Sequence, residues 1–140
     1  MSGVGSPIQN DFYVIGSATT AATLTALFAD NTKIFNIEGI NQIVFDVEYT
    51  PAAANRTISL QYEFSTDNST FFHRTVVKIS STERTLTIPP TIFLGALAGT
   101  AYKFEDAVNV ANRWMRVSVK EDGSSSFGTV TLKTMVTDNL

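Results

Sequence analysis

The chain of 140 residues holds one histidine, His73, and no cysteine. A histidine becomes a catalyst when a carboxylate orients it and a nucleophile lies beside it. The neighbours Phe71, Phe72, Arg74 and Thr75 read instead as strand surface, so His73 is expected as a half-exposed strand residue. No G-x-S-x-G segment is present to build a serine elbow. Glu38, Asp46, Glu48 and Glu63 take outward positions on consecutive strands, where two carboxylates can divide acid and base work between them. Outward positions are also where carboxylates simply solvate a sheet, and that is the expectation here. Asp67-Asn68, among Thr66, Ser69 and Thr70, offers hard oxygens but a single carboxylate, which makes a polar turn and not a calcium site. The chain is therefore read as not an enzyme, with no cofactor and no metal.

Binding chemistry is better represented. If Met115, Val117 and Val119 point inward, strand alternation turns Trp114 outward beside Arg116, an arrangement suited to a sugar platform or a protein contact. Capping one end of the core is the competing role for Trp114. Tyr102 is grouped with Trp114 and Arg116 as a candidate ligand surface. Ile92, Phe93, Leu94 and Leu97 form an apolar stretch that must fold under the domain or be covered by another subunit. With Pro7, Ile8 and Phe12 near the N-terminus, they make up the candidate interface.

These side chains need a scaffold, and composition indicates which kind. The chain contains 19 threonines and 12 serines, while charged residues are only 16% against about 25% in ordinary soluble domains. Threonine is β-branched and suits the solvated face of a pleated sheet, so an all-β protein is expected. Ten basic against thirteen acidic residues give a net charge of −3, which provides no field for nucleic acid or an anionic membrane. Without cysteine there are no disulfides or thiolate sites. Apolar runs are much shorter than a membrane span, and the N-terminus lacks the regions of a signal peptide.

Residues 1–11 show no period and read as a flexible arm, with a single domain over residues 12–140. Phe12 to Ile15 is a short strand ended by Gly16. Residues 17–33 are ambiguous: Leu24, Leu27 and Phe28 have helical spacing, Leu24, Ala26 and Phe28 alternate, and the abundance of threonine favours strand. After a short run at Ile34–Ile37, alternation is plain in Ile43, Phe45, Val47 and Tyr49 and again in Ile58, Leu60, Tyr62 and Phe64. Further strands are expected from Phe71 to Ile79, around Leu86 and Ile88 until Pro89-Pro90 ends them, briefly over Tyr102–Asp106, from Met115 to Val119, and from Val130 to Val136. Ile92 to Thr100 reads as a loop or distorted strand, and Glu121-Asp122-Gly123 as a turn. Eight or nine short strands with no intervening helices predict an antiparallel two-sheet β-sandwich, jelly-roll-like in architecture.

Phe35-Asn-Ile-Glu-Gly39, the strand Asn41–Tyr49 and the run from Leu60 through Ser65-Thr-Asp-Asn-Ser69 to Phe72 resemble the strand-and-turn pattern of small jelly-roll virion proteins of tailed bacteriophages. Arg113-Trp-Met-Arg-Val-Ser-Val119, then Glu-Asp-Gly and a Gly-Thr-Val-Thr-Leu strand, is similar to their closing hairpin and to that of related galactose-binding-like modules. The resemblance covers residues 34–79 and 113–136. It implies a non-enzymatic structural protein that decorates or cements a capsid, or serves as a head fibre or tail component. It further implies assembly in the host cytoplasm, a place in the virion, capsid or other virion proteins as partners, and a homo-oligomer, trimer or dimer. The alternative it leaves open is a carbohydrate-binding or receptor-binding module of a tail, baseplate or fibre.

Overall fold

The computed structural model describes residues 8–73, 75–78, 84–87, 90–110 and 112–138. In chain order the strands are β1 (Ile8–Ile15), β2 (Ala22–Thr23), β3 (Thr32–Asn36), β4 (Gln42–Thr50), β5 (Arg56–Ser65), β6 (Phe72–His73), β7 (Thr75–Lys78), β8 (Arg84–Thr87), β9 (Thr91–Gly95), β10 (Tyr102–Asn109), β11 (Trp114–Glu121) and β12 (Thr129–Asp138). They build the expected antiparallel two-sheet sandwich. Sheet A has the order β1-β12-β4-β10, with β2 also on β12; sheet B has the order β3-β11-β5-β6, with β9 also on β5. Among the described residues β7 and β8 pair with each other as a two-stranded ribbon that follows β6 in the chain. Among the described residues the strands include the two-residue β2 and also β9, which lies in the stretch read as a loop or distorted strand.

Alternation decides which side of each strand is buried. Ile43, Phe45, Val47 and Tyr49 of β4, with Val130 and Leu132 of β12, face Ile58, Leu60 and Phe64 of β5 and Met115, Val117 and Val119 of β11. Aromatic pairs cross between the sheets: Phe45 stacks on Tyr62 at 5.5 Å, and Phe93 stacks on Phe104 at 4.2 Å.

Two polar links also join the sheets. The Tyr49 hydroxyl of β4 donates to the fully buried carboxylate of Glu121 on β11, whose other oxygen accepts the Gly128 N–H at 2.9 Å. The Tyr62 hydroxyl of β5 donates to Asp106 on β10. Burial and these carboxylate hydrogen bonds push both phenols well above the ordinary tyrosine range. Gly128 is required by close approach, since a β-carbon there would lie 2.2 Å from the Thr50 carbonyl oxygen.

Several expectations are corrected. β1 begins at Ile8 and pairs with β12 from there on, so the first strand takes in part of the segment read as an arm. Residues 1–7 lie outside the described residues. Residues 17–33 form no helix and no single strand: Ala22–Thr23 pair with β12, Phe28–Asp30 make one 3-10 turn, and Thr32–Lys33 open β3. Leu24 is buried while Leu27 is 62% exposed, so the three apolar residues of the supposed helix do not share a face. Tyr102–Asp106 extends to Asn109, because Asp106 occupies an inward position that hides the period. Glu121 is the last inward residue of β11 and not a turn residue. Ile88 and Pro89 lie outside the described residues.

Candidate functional site

The outer face of sheet B carries a connected set of polar side chains. Cross-strand register sets Ile34 of β3, Arg116 of β11, Glu63 of β5 and His73 of β6 in one row, and Thr32, Ser118 and Gln61 in the next. Arg116 grips Glu63 with two parallel bonds of 2.9 Å, Nε to Oε1 and Nη2 to Oε2. This fork geometry is the strongest form of the pair. The carboxylate beside it holds the Arg116 guanidinium even further above its ordinary value. Phe71 covers the guanidinium at 4.5 Å from its ring centroid. His73 lies on the same row with Nε2 3.8 Å from Glu63 Oε2, and the Gln61 side-chain amide reaches its Nε2 at 3.0 Å. The Thr32 hydroxyl donates to the Val117 carbonyl at 3.2 Å and is 2.8 Å from the Ser118 hydroxyl, which leaves Ser118 as the donor of that pair.

The 3-10 turn Phe28–Asp30 rises beside this face. Together Phe28, Ala29, Thr32, Gln61, Glu63, Arg116 and Ser118 enclose an open cleft of about 320 Å³. Lys120 extends its ammonium over the Phe28 ring at 4.7 Å. The Glu63 side chain is only 13% exposed although it points away from the core, with Arg116 and His73 beside it.

Trp114 is half-buried at the start of β11 on this same outer face, two residues from Arg116. Tyr102 is not near it. It begins β10 in the other sheet, opposite Tyr49, whose hydroxyl meets the far end of β11. Its ring tilts against Phe93 at 5.8 Å and its hydroxyl accepts the Leu97 N–H at 2.9 Å, so it anchors a loop instead of joining a ligand surface with Trp114.

The candidate interface also divides. Ile92, Leu94 and Leu97 are 63%, 54% and 61% exposed. Phe93 alternates to the inside and stacks on Phe104, and Phe12 packs edge-on against Phe35 at 5.6 Å, so both belong to the core periphery. β1 contains Ile8, while Pro7 lies outside the described residues. β9 pairs with β5 on one side, and among the described strands none pairs with its other side. It carries no charged residue: its sequence is Thr-Ile-Phe-Leu-Gly.

The outward carboxylates separate into different surroundings. Glu38 forms an exposed ion pair with Arg113 at 2.9 Å, and Glu63 belongs to the Arg116 bridge. Asp46 on sheet A stands directly between Lys133 of β12 and Glu105 of β10, with Glu48 opposite Lys103 in a neighbouring row. A shared hydrogen bond and repulsion with Asp46 raise the Glu105 carboxyl above its ordinary value. Asp67 is a turn residue, as expected: its Oδ1 accepts the N–H groups of Ser69 and Thr70 at 2.9 Å and the Ser65 hydroxyl at 2.8 Å. Those bonds lower its pKa.

No family model matches the chain, and no curated protein matches it in sequence. Solved structures similar to it include dimeric latent PorU from Porphyromonas gingivalis, at 11% identity and a TM-score of 0.46, covering 96% of this chain and 13% of that one. The SPBc2 prophage-derived protein YomS is 13% identical with a TM-score of 0.47, and 96% of each chain is covered. A chain of infectious bursal disease virus, Gx strain, is 9% identical with a TM-score of 0.45, covering 95% of this chain and 32% of that one. The similar structures thus include a prophage protein and a virus protein, and the chain spans only a small part of PorU and about a third of the virus chain. At these identities and scores they carry no argument about what the chain does.

Proposed function

We propose that this chain is a non-enzymatic structural subunit of a bacteriophage virion that decorates or cements a capsid, in line with its sequence resemblance to phage jelly-roll proteins. The observation that supports this reading is β9. Soluble proteins protect edge strands with charges, prolines or coverings. β9 instead presents Ile92 and Leu94, with Leu97 following, and no charge. Its inward residue Phe93 is held by the core, so the strip is displayed on a fixed support.

Magnitudes favour a lattice over a free complex. Covering the exposed halves of three aliphatic side chains is worth about 3–5 kcal/mol, while association of free partners costs about 4–15 kcal/mol in lost freedom and ordering. Such a strip makes a weak contact in solution and a useful one where several act together on a repeated surface. The occupant in this reading is the outer surface of a neighbouring capsid subunit.

Co-sedimentation of the purified chain with capsids of the phage that encodes it tests the proposal. Saturable binding at a fixed ratio to the major capsid protein is expected, with at least a tenfold loss for Ile92→Asp combined with Leu94→Asp. A chain that never travels with particles, or a double variant that binds as well as the unaltered chain, refutes it.

A further inference from the structure

From the outer face of sheet B we infer a binding site for a neutral saccharide, seated in the cleft between the Glu63–Arg116 bridge and Phe28. This site is separate from β9 and does not depend on the virion reading. A flat, solvated sheet face would leave such side chains open to water. Here the 3-10 turn raises a wall of Phe28 and Ala29 beside the strands, and the floor is a continuous set of polar groups: Thr32, Ser118, Gln61, Glu63 and Arg116.

The chemistry of that floor selects the ligand. Glu63 and Arg116 neutralise one another in a bidentate bridge. Within the bridge an anionic ligand meets the Glu63 carboxylate and a cationic one meets the Arg116 guanidinium, so the bridge itself favours neither; the Lys120 ammonium beside the cleft is held on the Phe28 ring. The bridge uses two of the five guanidinium N–H groups and one acceptor direction on each carboxylate oxygen. Donors and acceptors therefore remain side by side, a few ångströms apart. A vicinal diol matches this pattern, with one hydroxyl donating to Glu63 while its neighbour accepts from Arg116. The Gln61 amide and the Ser118 and Thr32 hydroxyls extend the same mixed character along the floor. The Phe28 ring has the Lys120 ammonium over one of its two faces; the other is an apolar wall against which the C–H face of a sugar ring can lie. A volume of about 320 Å³ suits one or two sugar residues.

The experiment begins with the full chain on an array of immobilised neutral oligosaccharides and of oligosaccharides bearing sialic or uronic acids. Titration calorimetry with the free form of the best neutral sugar follows, so that recognition of the sugar itself is separated from adhesion to a dense surface. Binding to neutral members in both formats is expected. Phe28→Ala and Glu63→Gln should each weaken it at least tenfold, while Ile92→Asp combined with Leu94→Asp leaves it unchanged. Because Glu63→Gln also alters the Arg116 bridge, its thermal midpoint is measured alongside; Phe28→Ala removes the wall without touching the bridge. Absence of array signal, preference for the acidic sugars, binding on the array but not in free solution, or wild-type affinity in either variant would each overturn the assignment.

Discussion

Replacing Tyr49 by phenylalanine removes a single oxygen from the middle of the molecule. The ring keeps its place against β9, where Gly95 leaves so little room that a β-carbon would stand 2.7 Å from the ring. What is lost is the hydroxyl that donates to Glu121, a carboxylate with no exposure to water. One of its oxygens keeps the Gly128 N–H, and the other has no replacement donor supplied by the substitution. A hydrogen bond to a charged group contributes about 1.5–3 kcal/mol, and a buried acceptor left unsatisfied lies toward the upper end. For a chain of this length about 2 kcal/mol corresponds to a fall of roughly 6–8 °C in Tm. Calorimetric or circular-dichroism melting of the purified variant at neutral pH measures it. A cycle with Glu121→Ala should return a coupling of about 1 kcal/mol or more, since each change removes the same contact. A Tyr49→Phe variant melting within 2 °C of the unaltered chain, or a coupling near zero, would refute the claim that this link holds the sheets together.

Gly128→Ala should be more damaging, because its β-carbon would fall 2.2 Å from a backbone oxygen that cannot swing aside; loss of several kcal/mol, seen as a much lower Tm or insoluble expression, is expected, and a normal melt contradicts the packing described. Glu105→Gln should stabilise the protein at neutral pH. The raised Glu105 carboxyl binds its proton more tightly in the folded chain than in the unfolded one, so the stabilising share of that proton is complete below the ordinary value near 4.5 and is lost as pH rises through the folded value. Melting across pH 4 to 8 should therefore show the advantage of the variant growing with pH, and an advantage confined to acid would reverse the assignment.

Much of the scaffold was legible because four strands, β4, β5, β11 and β12, keep strict alternation over most of their length, and alternation alone decides which face is buried. It failed where polar residues point inward. Asp106 and Glu121 sit at core parity with their carboxylates hydrogen-bonded by tyrosines of the opposing sheet, and a hydropathy pattern cannot distinguish such residues from a turn or a loop end. In hindsight Glu121 continues the series Met115, Val117, Val119 by two, which was the available signal. The stretch from Ser17 to Lys33 was unreadable for another reason: its apolar residues serve different surfaces, Leu24 the core and Phe28 the outer cleft. For the site, sequence placed Arg116 and Glu63 outward but not opposite one another. That requires the pairing of β11 with β5, a register set by contacts 53 residues apart. Grouping Tyr102 with Trp114 failed likewise, because adjacent strands in sequence, β10 and β11, belong to different sheets.

The two tyrosine–carboxylate links run in opposite senses, one hydroxyl reaching from sheet A to sheet B and the other from sheet B to sheet A. Packed hydrocarbon resists separation of two sheets but offers little direction to oppose sliding, whereas hydrogen bonds fail when their ends move by an ångström or two. Two pins at different heights fix both translation and rotation of one sheet over the other. A load applied at an edge of one layer is then carried by the whole sandwich, so the domain yields by breaking both pins together and not by gradual shear.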